Sequence, residues 1–336
     1  MRRALALAAL LAAVGVPLAY AQDATTRSTG PTSTGGTTAE ETPPPPPPLI
    51  PGGVTIAGVS VGGLTADAAR ATVRSFFVRP VTFTFRGRTK TSTPWWVGAS
   101  AGVESAIANA LAADPGQAVA LPVRFDRTKL RAFVARLARA WYRPPVNSRA
   151  RLSYLRPTIT RARVGYRLKQ YPTRTLVRAA FAAHERGPIA TPYRVLQPRI
   201  TRSNFGPVIV IRRASHRLYL YKGSHYWTTF GVAVGMSQYP TPLGSFHIAT
   251  KQRNPWWYPP SAAWAAGASP IPPGPGNPLG TRWMGLSRGG VGIHGTPDSA
   301  SIGYSASHGC IRMRIPEAEW LFERVYVGTP VFIVSA

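Results

Sequence analysis

The chain has 336 residues, which is too long for one compact core and suits two folded domains. Its single cysteine excludes an intramolecular disulfide and leaves Cys310 as either a reactive thiol or an inert buried one. The formal net charge of +28 is uneven: residues 52–204 hold 26 basic and 5 acidic side chains, and residues 205–336 hold 11 and 4. Such a surface attracts polyanions, unless the arginines are simply a solvated basic face.

The first 21 residues have the pattern of a signal peptide. Arg2 and Arg3 precede an apolar stretch, and Ala19-Tyr20-Ala21 offers a small-x-small cleavage site. We predict cleavage before Gln22 and secretion to the cell envelope; the alternative is an uncleaved membrane anchor, for which the apolar run is short. Export favours anionic envelope polymers over nucleic acid as partners and limits membrane contact to the signal peptide.

Residues 22–51 consist mainly of Thr, Ser, Gly and Pro and cannot bury a core, so we predict a disordered spacer. The proline run from Pro43 to Pro48 is expected to form a polyproline II rod of roughly 20 Å.

Residues 52–204 are predicted to form a basic, mixed α+β domain. Thr65 is a suitable cap for a helix from Ala66 to Phe77, and a second helix is expected from Thr173 to His184. Val81 to Phe85 alternates like a strand. A further helix is indicated by apolar residues at helical spacing, namely Leu130, Phe133, Val134, Leu137 and Trp141. Trp95 and Trp96 are assigned to the core rather than to a carbohydrate platform.

Residues 205–336 are predicted to form a β-rich sandwich or barrel with one or two helices. One helix is expected from Pro316 to Val325, with proline in its first turn and Gly328 beyond its end. The predicted strands are Val208 to Ile211, Arg217 to Tyr221, Tyr226 to Val234, Gly244 to Thr250, Val291 to His294 and Val331 to Val334.

Cys310 lies in a sequence that suits nucleophilic catalysis. A free cysteine, with a pKa near ~8.5, is mostly a neutral thiol at neutral pH and needs a base nearby to attack an amide. Two histidines are candidates: His308, two residues away, and His294, at the end of a predicted strand. Gly309 lets the backbone approach a substrate closely.

In its last 132 or so residues, from Phe205 to Ala336, the chain resembles the L,D-transpeptidase (YkuD) catalytic domain. The resemblance is carried by four segments: Thr241-Pro242-Leu243-Gly244-Ser245-Phe246, Asn277-Pro278-Leu279-Gly280, His294-Gly295-Thr296 and Ser307-His308-Gly309-Cys310-Ile311-Arg312-Met313. Residues 52–69 and 128–170 resemble, more weakly, peptidoglycan-binding modules of cell-wall enzymes. The resemblance implies peptidoglycan stem peptides and glycan strands as partners.

The resemblance to the L,D-transpeptidase catalytic domain also implies roles for individual residues. Cys310 would be acylated, His294 would be its base, and the carbonyl of Gly295 would orient the imidazole. His308 and Arg312 would support the site, and the amides of Gly309 and Cys310 would form an oxyanion hole. Substrate contacts are expected from four further residues, namely Trp283, Met284, Thr296 and Ser307.

Several alternatives remain open. His294, His308 and Cys310 are also chemically suited to zinc, although no fourth ligand is nearby and we expect neither a metal nor a cofactor. The long segment from Asn254 to Asn277 is either a lid over the cleft or a floppy insertion. The resemblance implies a transpeptidase that transfers a tetrapeptide donor stem to an acceptor amine and forms a 3-3 cross-link. The alternatives are a hydrolase using the same thioester and a catalytically silent wall-binding protein.

Overall fold

The structure is a computed structural model, and it describes residues 46–336. The predicted signal peptide over residues 1–21 and most of the spacer over residues 22–51 therefore lie outside the described residues. The end of that spacer is folded, because the Ile50 side chain is buried and its N–H donates to the Leu64 carbonyl at 2.9 Å. Within residues 46–336, no helix combines the length and the apolarity needed to cross a membrane.

The region up to residue 204 is a mixed α+β structure whose strands form small sheets of two or three strands. Its helices are α1 (Ala66–Phe77), α2 (Pro94–Val97), α3 (Val103–Leu111), α4 (Arg127–Trp141) and α5 (Gln170–Ala182). Its strands are β1 (Thr55–Ile56), β2 (Val59–Ser60), β3 (Val81–Phe85), β4 (Arg88–Ser92), β5 (Ala99–Ala101), β6 (Ala118–Val119), β7 (Val123–Phe125), β8 (Ala150–Ser153), β9 (Arg156–Ile159), β10 (Gly165–Leu168), β11 (Ile189–Ala190) and β12 (Tyr193–Leu196).

The helices of this region form where capping and periodicity predict them. The Thr65 side chain accepts a hydrogen bond from the Ala68 N–H at 3.4 Å and caps α1. The apolar stripe of α4 faces inward, and all five of its predicted members are buried. Helix α5 starts at Gln170 rather than Thr173, because Thr173 lies inside its first turn and donates its hydroxyl to the Lys169 carbonyl at 2.7 Å.

The prediction that Trp95 and Trp96 belong to the core is wrong. Both side chains lie on the surface, with 63% and 59% of their area exposed. They occupy the middle of the one-turn helix α2, whose first and last residues, Pro94 and Val97, are buried. On a single turn, residues three apart share one face, so anchoring Pro94 and Val97 leaves the two indoles facing solvent.

The region from residue 205 is β-rich. Its helix α6 spans Ile315–Arg324, with short 3₁₀ turns at Ala263–Ala265 and Ser299–Ser301. Its strands are β13 (Pro207–Arg212), β14 (Arg217–Lys222), β15 (His225–Gly231), β16 (Val234–Gly235), β17 (Gly244–Arg253), β18 (Arg282–Leu286), β19 (Gly292–Thr296), β20 (Ser305–Ser307), β21 (Ile311–Arg314) and β22 (Pro330–Val334).

Eight of these strands form one mixed sheet in the order β15-β14-β13-β22-β17-β18-β19-β21. The two edges nearly meet, because Ala233, just after β15, exchanges two backbone hydrogen bonds with Arg312 of β21, at 3.0 and 2.9 Å. The sheet therefore resembles a nearly closed barrel, and its inner side chains form a separate core. The predicted fold class, a β-rich domain with few helices after a mixed α+β region, is confirmed.

The two regions touch through the outer face of this sheet. Ile159 of β9 packs against Val208, Val210, Tyr221 and Phe332 in a small apolar cluster. The division into domains at residues 52–204 and 205–336 stays a prediction.

Candidate active site

One row of side chains crosses four neighbouring strands. In the sheet register, Gln252 of β17 pairs with Trp283 of β18, Trp283 pairs with His294 of β19, and His294 pairs with Arg312 of β21. Directly paired residues project to the same face of a sheet. All four line a cavity of about 570 Å³. The adjacent residue Ile293 faces the opposite way and is completely buried in the core.

The same alternation places Cys310 beside this row. Cys310 directly precedes β21, two residues before Arg312, so both side chains share a face. Ile311 lies between them and is buried in the core. Cys310 lines the cavity, is partly buried, and points its thiol at the Gly290 carbonyl, with 3.6 Å between sulfur and oxygen. The sheet thus brings Cys310 and His294 together in one cavity, as the sequence predicts.

A backbone carbonyl fixes the His294 ring. Its Nδ1 lies 2.7 Å from the Gly295 oxygen. Because a carbonyl oxygen only accepts, Nδ1 carries the proton and Nε2 keeps its lone pair. The side chain is 4% exposed, and burial lowers the pKa of His294 to about 4, despite the opposing effect of the Gly295 carbonyl. The positive charge of Arg312 makes a smaller contribution to the same lowering.

Burial acts in the opposite sense on the thiol. It raises the pKa of Cys310, and a hydrogen bond from the Gly292 backbone and the charge of Arg312 offset this in part. The free site at neutral pH therefore holds a neutral thiol and a neutral imidazole. Such a pair suits general-base activation of the thiol during attack rather than a thiolate formed in advance.

Ser307 holds the turn that carries Cys310. Its hydroxyl donates to the Cys310 carbonyl at 2.6 Å and accepts from the Gly309 N–H at 3.2 Å. Gly309 has φ of +108°, a conformation that side chains rarely adopt. Ser307 also lines the cavity, but its hydroxyl is engaged within the turn, as is the Gly309 amide that was predicted to face an oxyanion.

The supporting charge, Arg312, has a carboxylate partner. Its Nη1 lies 3.5 Å from an oxygen of Asp298, whose own N–H donates to the Thr296 hydroxyl at 3.2 Å. Thr296 was predicted to contact substrate, yet it is buried and lies outside the cavity lining, where it holds Asp298 instead. Met284 is likewise buried in the core, because it alternates with Trp283 along β18.

His308 lies between two aromatic rings at the cavity wall and stacks on one of them. The Trp264 ring lies nearly parallel to it with 3.9 Å between centroids, and the Tyr239 ring lies 5.1 Å away. Burial and the charge of Arg312 lower the pKa of His308. This position suits a supporting residue that shapes the cavity.

The long segment between β17 and β18 covers the cavity. Four of its aromatic side chains line the cavity: Trp256, Trp257, Tyr258 and Trp264. Trp257 and Ile271 exchange two backbone hydrogen bonds of 2.9 Å, which close the segment into a hairpin-like loop. Its position is that of a lid.

Asn277 fastens this lid at its base. Its side chain is 1% exposed, and its amide nitrogen donates to the carbonyls of Pro255, Ile271 and Pro272 at 2.8 to 3.2 Å. Its side-chain oxygen accepts the Leu279 N–H at 2.8 Å. The turn that follows ends at Gly280, which lies directly against Gly295.

Comparison with known proteins places this geometry in a family. Residues 206–333 match the model described as L,D-transpeptidase catalytic domain, and residues 97–190 match the one described as "Putative peptidoglycan binding domain". The chain is 33% identical over 134 residues to "Putative L,D-transpeptidase YqjB" of Bacillus subtilis, covering 38% of this chain and 72% of that protein. This chain belongs to the L,D-transpeptidase family.

Two further comparisons involve other L,D-transpeptidases. "Probable L,D-transpeptidase YbiS" of Escherichia coli is 36% identical over 136 residues, which cover 38% of this chain and 44% of that protein. An Enterococcus faecium L,D-transpeptidase crystal structure aligns with a TM-score of 0.34 and 17% identity, over 79% of this chain and 98% of that one.

The L,D-transpeptidase cavity also contains residues that the sequence analysis missed. Gln252 lies near the end of β17, two residues beyond the predicted end of that strand, and Tyr239 lies in the loop before it. Asp298 follows the His294-Gly295-Thr296 motif and pairs with Arg312. The extension of the alternating pattern from Thr250 to Gln252 was the available signal for the first of these.

Proposed function

We propose that this protein is a peptidoglycan L,D-transpeptidase that forms a thioester at Cys310. The observation that carries the proposal is that His294 and Cys310 lie on the same face of the sheet and line one cavity. The Gly295 carbonyl also fixes Nδ1 of His294. This arrangement leaves Nε2 free of its proton and available as a base. The catalytic family model over residues 206–333 supports the same chemistry.

In the first half-reaction, His294 takes the Cys310 proton as sulfur attacks the carbonyl between the third and fourth residues of a tetrapeptide stem. The peptide C–N bond breaks, His294 returns its proton to the departing amine, and D-alanine leaves. The enzyme then carries a thioester. The amides of Gly309 and Cys310 are the proposed oxyanion donors, the Gly309 amide turning from Ser307 as the intermediate forms.

In the second half-reaction, the amine of another stem attacks the thioester. His294 takes a proton from that amine and returns one to the departing Cys310 sulfur, so the enzyme is regenerated. The product is a link between two third-position residues. The aromatic lid, with Trp264 stacked over His308, supports transfer rather than hydrolysis because it covers the thioester against water.

A product assay distinguishes the two outcomes. Purified disaccharide-tetrapeptide is incubated with the protein and the products are separated and weighed by mass spectrometry. Transpeptidation gives a dimer that has lost one D-alanine, with Cys310→Ala as the matched inactive control. Tripeptide monomers as the sole product would identify a hydrolase, and unchanged substrate in both proteins would overturn the proposal.

The proposal places the protein outside the cytoplasmic membrane, with peptidoglycan stem peptides and glycan strands as partners. The predicted signal peptide and the match of residues 97–190 to the peptidoglycan-binding model support this placement. N-terminal sequencing of secreted protein should begin at Gln22. An intact Met1 in a cytosolic fraction would contradict it.

A further inference from the structure

Two exposed tryptophans lie on the short helix α2, which packs tightly against α4 in the N-terminal region. Trp95 and Trp96 lie edge to face with 4.9 Å between ring centroids, and the Lys129 ammonium lies 5.0 Å from the Trp95 ring centre. Behind them, Gly98 ends α2 with φ of +84° and packs so closely on α4 that a Cβ there would lie 2.7 Å from the Lys129 Cβ. Exposed indoles held this firmly, away from the catalytic cavity, indicate a contact surface.

The two indoles separate two grooves. Trp96 lines a groove of about 690 Å³ between β4 and α4, and Trp95 lines one of about 410 Å³ on the other side of α2. Strand β4 is the outer strand of its three-stranded sheet, so its free edge borders the larger groove. Four hydroxyl-bearing residues line the groove, namely Thr89, Thr91 and Ser92 of β4 and Thr93, which follows it. Lys90 and Arg136 add positive charge there.

This combination selects a class of ligand. Flat aromatic faces suit the apolar faces of sugar rings, rows of hydroxyls and backbone groups suit ring hydroxyls and N-acetyl groups, and cations suit carboxylates spaced along a chain. We infer that the surface formed by Trp95, Trp96, Lys90 and Arg136, with the hydroxyl edge of β4, binds a glycan strand of aminosugars that carries carboxylates. The inference rests on the proposed wall-acting function and assigns the contact to a defined surface.

A membrane surface is the main alternative for exposed tryptophans beside cations. The grooves argue against a membrane contact. A surface that inserts into lipid would not carry four hydroxyls and an open strand edge in a concave surface. The charge of the region, with 26 basic and 5 acidic side chains over residues 52–204, is complementary to the carboxylates of the glycan, and the grooves decide between glycan and lipid.

The test is binding of the full chain to stem-free glycan strands of N-acetylglucosamine and N-acetylmuramic acid, measured by calorimetry. These strands contain no peptide, so the catalytic cavity has no substrate in them. We expect the double variant Trp95→Ala/Trp96→Ala to weaken binding by about tenfold or more. The matched control is Tyr171→Ala, which removes a 72% exposed aromatic beside Arg174 and should leave the affinity within about twofold.

A separate binding measurement tests the role of the cations. Arg136→Gln should weaken binding of the carboxylate-bearing strands while leaving binding of uncharged chitin oligomers unchanged, whereas the tryptophan variant should weaken both. Trp96→Tyr, which keeps a flat ring, should recover part of the affinity and excludes a folding defect as the cause.

Wild-type affinity in the tryptophan variant would overturn the inference. So would a loss that occurs on anionic phospholipid vesicles and not on glycan. Acylation of Cys310 by a carbapenem should be unchanged in every variant of this surface, so failure of the glycan site and failure of the proposed catalysis give different results.

Discussion

The side chains of His294 and Cys310 are both uncharged at neutral pH. Because burial holds the pKa of His294 at about 4 and raises that of Cys310, the imidazole is unprotonated and the thiol protonated across the neutral range. In the proposed mechanism, proton transfer therefore accompanies attack. The Nδ1 contact with Gly295 keeps the proton on that nitrogen and leaves Nε2 as the acceptor.

A pH profile follows from these shifts. We expect the rate of carbapenem acylation to stay level between about pH 5 and 8 and to fall as the pH approaches 4, where His294 becomes protonated and cannot accept the thiol proton. Stopped-flow measurement across this range checks it. An inflection near pH 6.5 would indicate a solvent-exposed histidine as the base.

The two histidines should differ in importance. His294→Ala is expected to slow acylation by about 10²–10⁴-fold, the usual contribution of a general base. His308→Ala should cost less, because His308 stacks on Trp264 and shapes the cavity wall. The control is His225→Ala, which lies away from the cavity. A larger loss in His308→Ala than in His294→Ala would reverse the assignment of the base.

At the scale of elements, the turn from Asn277 to Gly280 connects the lid to the backbone that holds His294. Asn277 ties the two ends of the lid together, and Gly280 contacts the residue whose carbonyl orients His294. A Cβ on Gly280 would lie 3.0 to 3.2 Å from the backbone atoms of Gly295. Few side chains could be added there without moving that carbonyl.

Gly280→Ala tests this link. We expect acylation to slow by about tenfold or more, because displacement of the Gly295 carbonyl misaligns the His294 ring. Gly223→Ala is a matched control: Gly223 has φ of +61°, close to the +60° of Gly280, but its nearest neighbour to an added Cβ is 3.8 Å away. Equal rates in the two variants would mean that the contact does not position the base.

Some elements could be predicted from sequence because their signals are local. Thr65 and the stripe along α4 gave α1 and α4 directly, since a cap and a period of 3.6 are short-range features. Strand β18 lacks a clear alternation and was missed. Trp95 and Trp96 were misplaced because the exposure of α2 depends on which of its residues are anchored by distant packing.

The candidate site was predictable only in part for a related reason. The motif around Cys310 is typical of nucleophilic catalysis, and His294 lies in the neighbouring motif. Both residues could therefore be chosen from sequence. The row of Gln252, Trp283, His294 and Arg312 depends on the register of four strands, which no single segment encodes. Met284 neighbours Trp283 on β18, so alternation turns its side chain to the opposite face. Thr296 shares the alternation of His294 but lies at the end of β19, outside the cavity lining.

At the scale of the whole molecule, charge and chemistry are carried by different regions. Most of the basic excess lies in residues 52–204, whereas the cavity with Cys310 lies in the β-rich region. We expect retention of the Cys310→Ala protein on wall sacculi to fall as salt rises from about 0.1 M to 1 M, where the Debye length shrinks from about 10 Å to 3 Å. Equal retention at both salt concentrations would show that charge does not drive binding.

The central claim is that Cys310 is the nucleophile, and intact-mass spectrometry after carbapenem treatment tests it most directly. The protein has one cysteine, so a covalent adduct has one candidate thiol. The wild-type protein should gain the mass of one carbapenem, and Cys310→Ala should gain nothing under the same conditions. An adduct of equal yield on the Cys310→Ala protein would contradict the account.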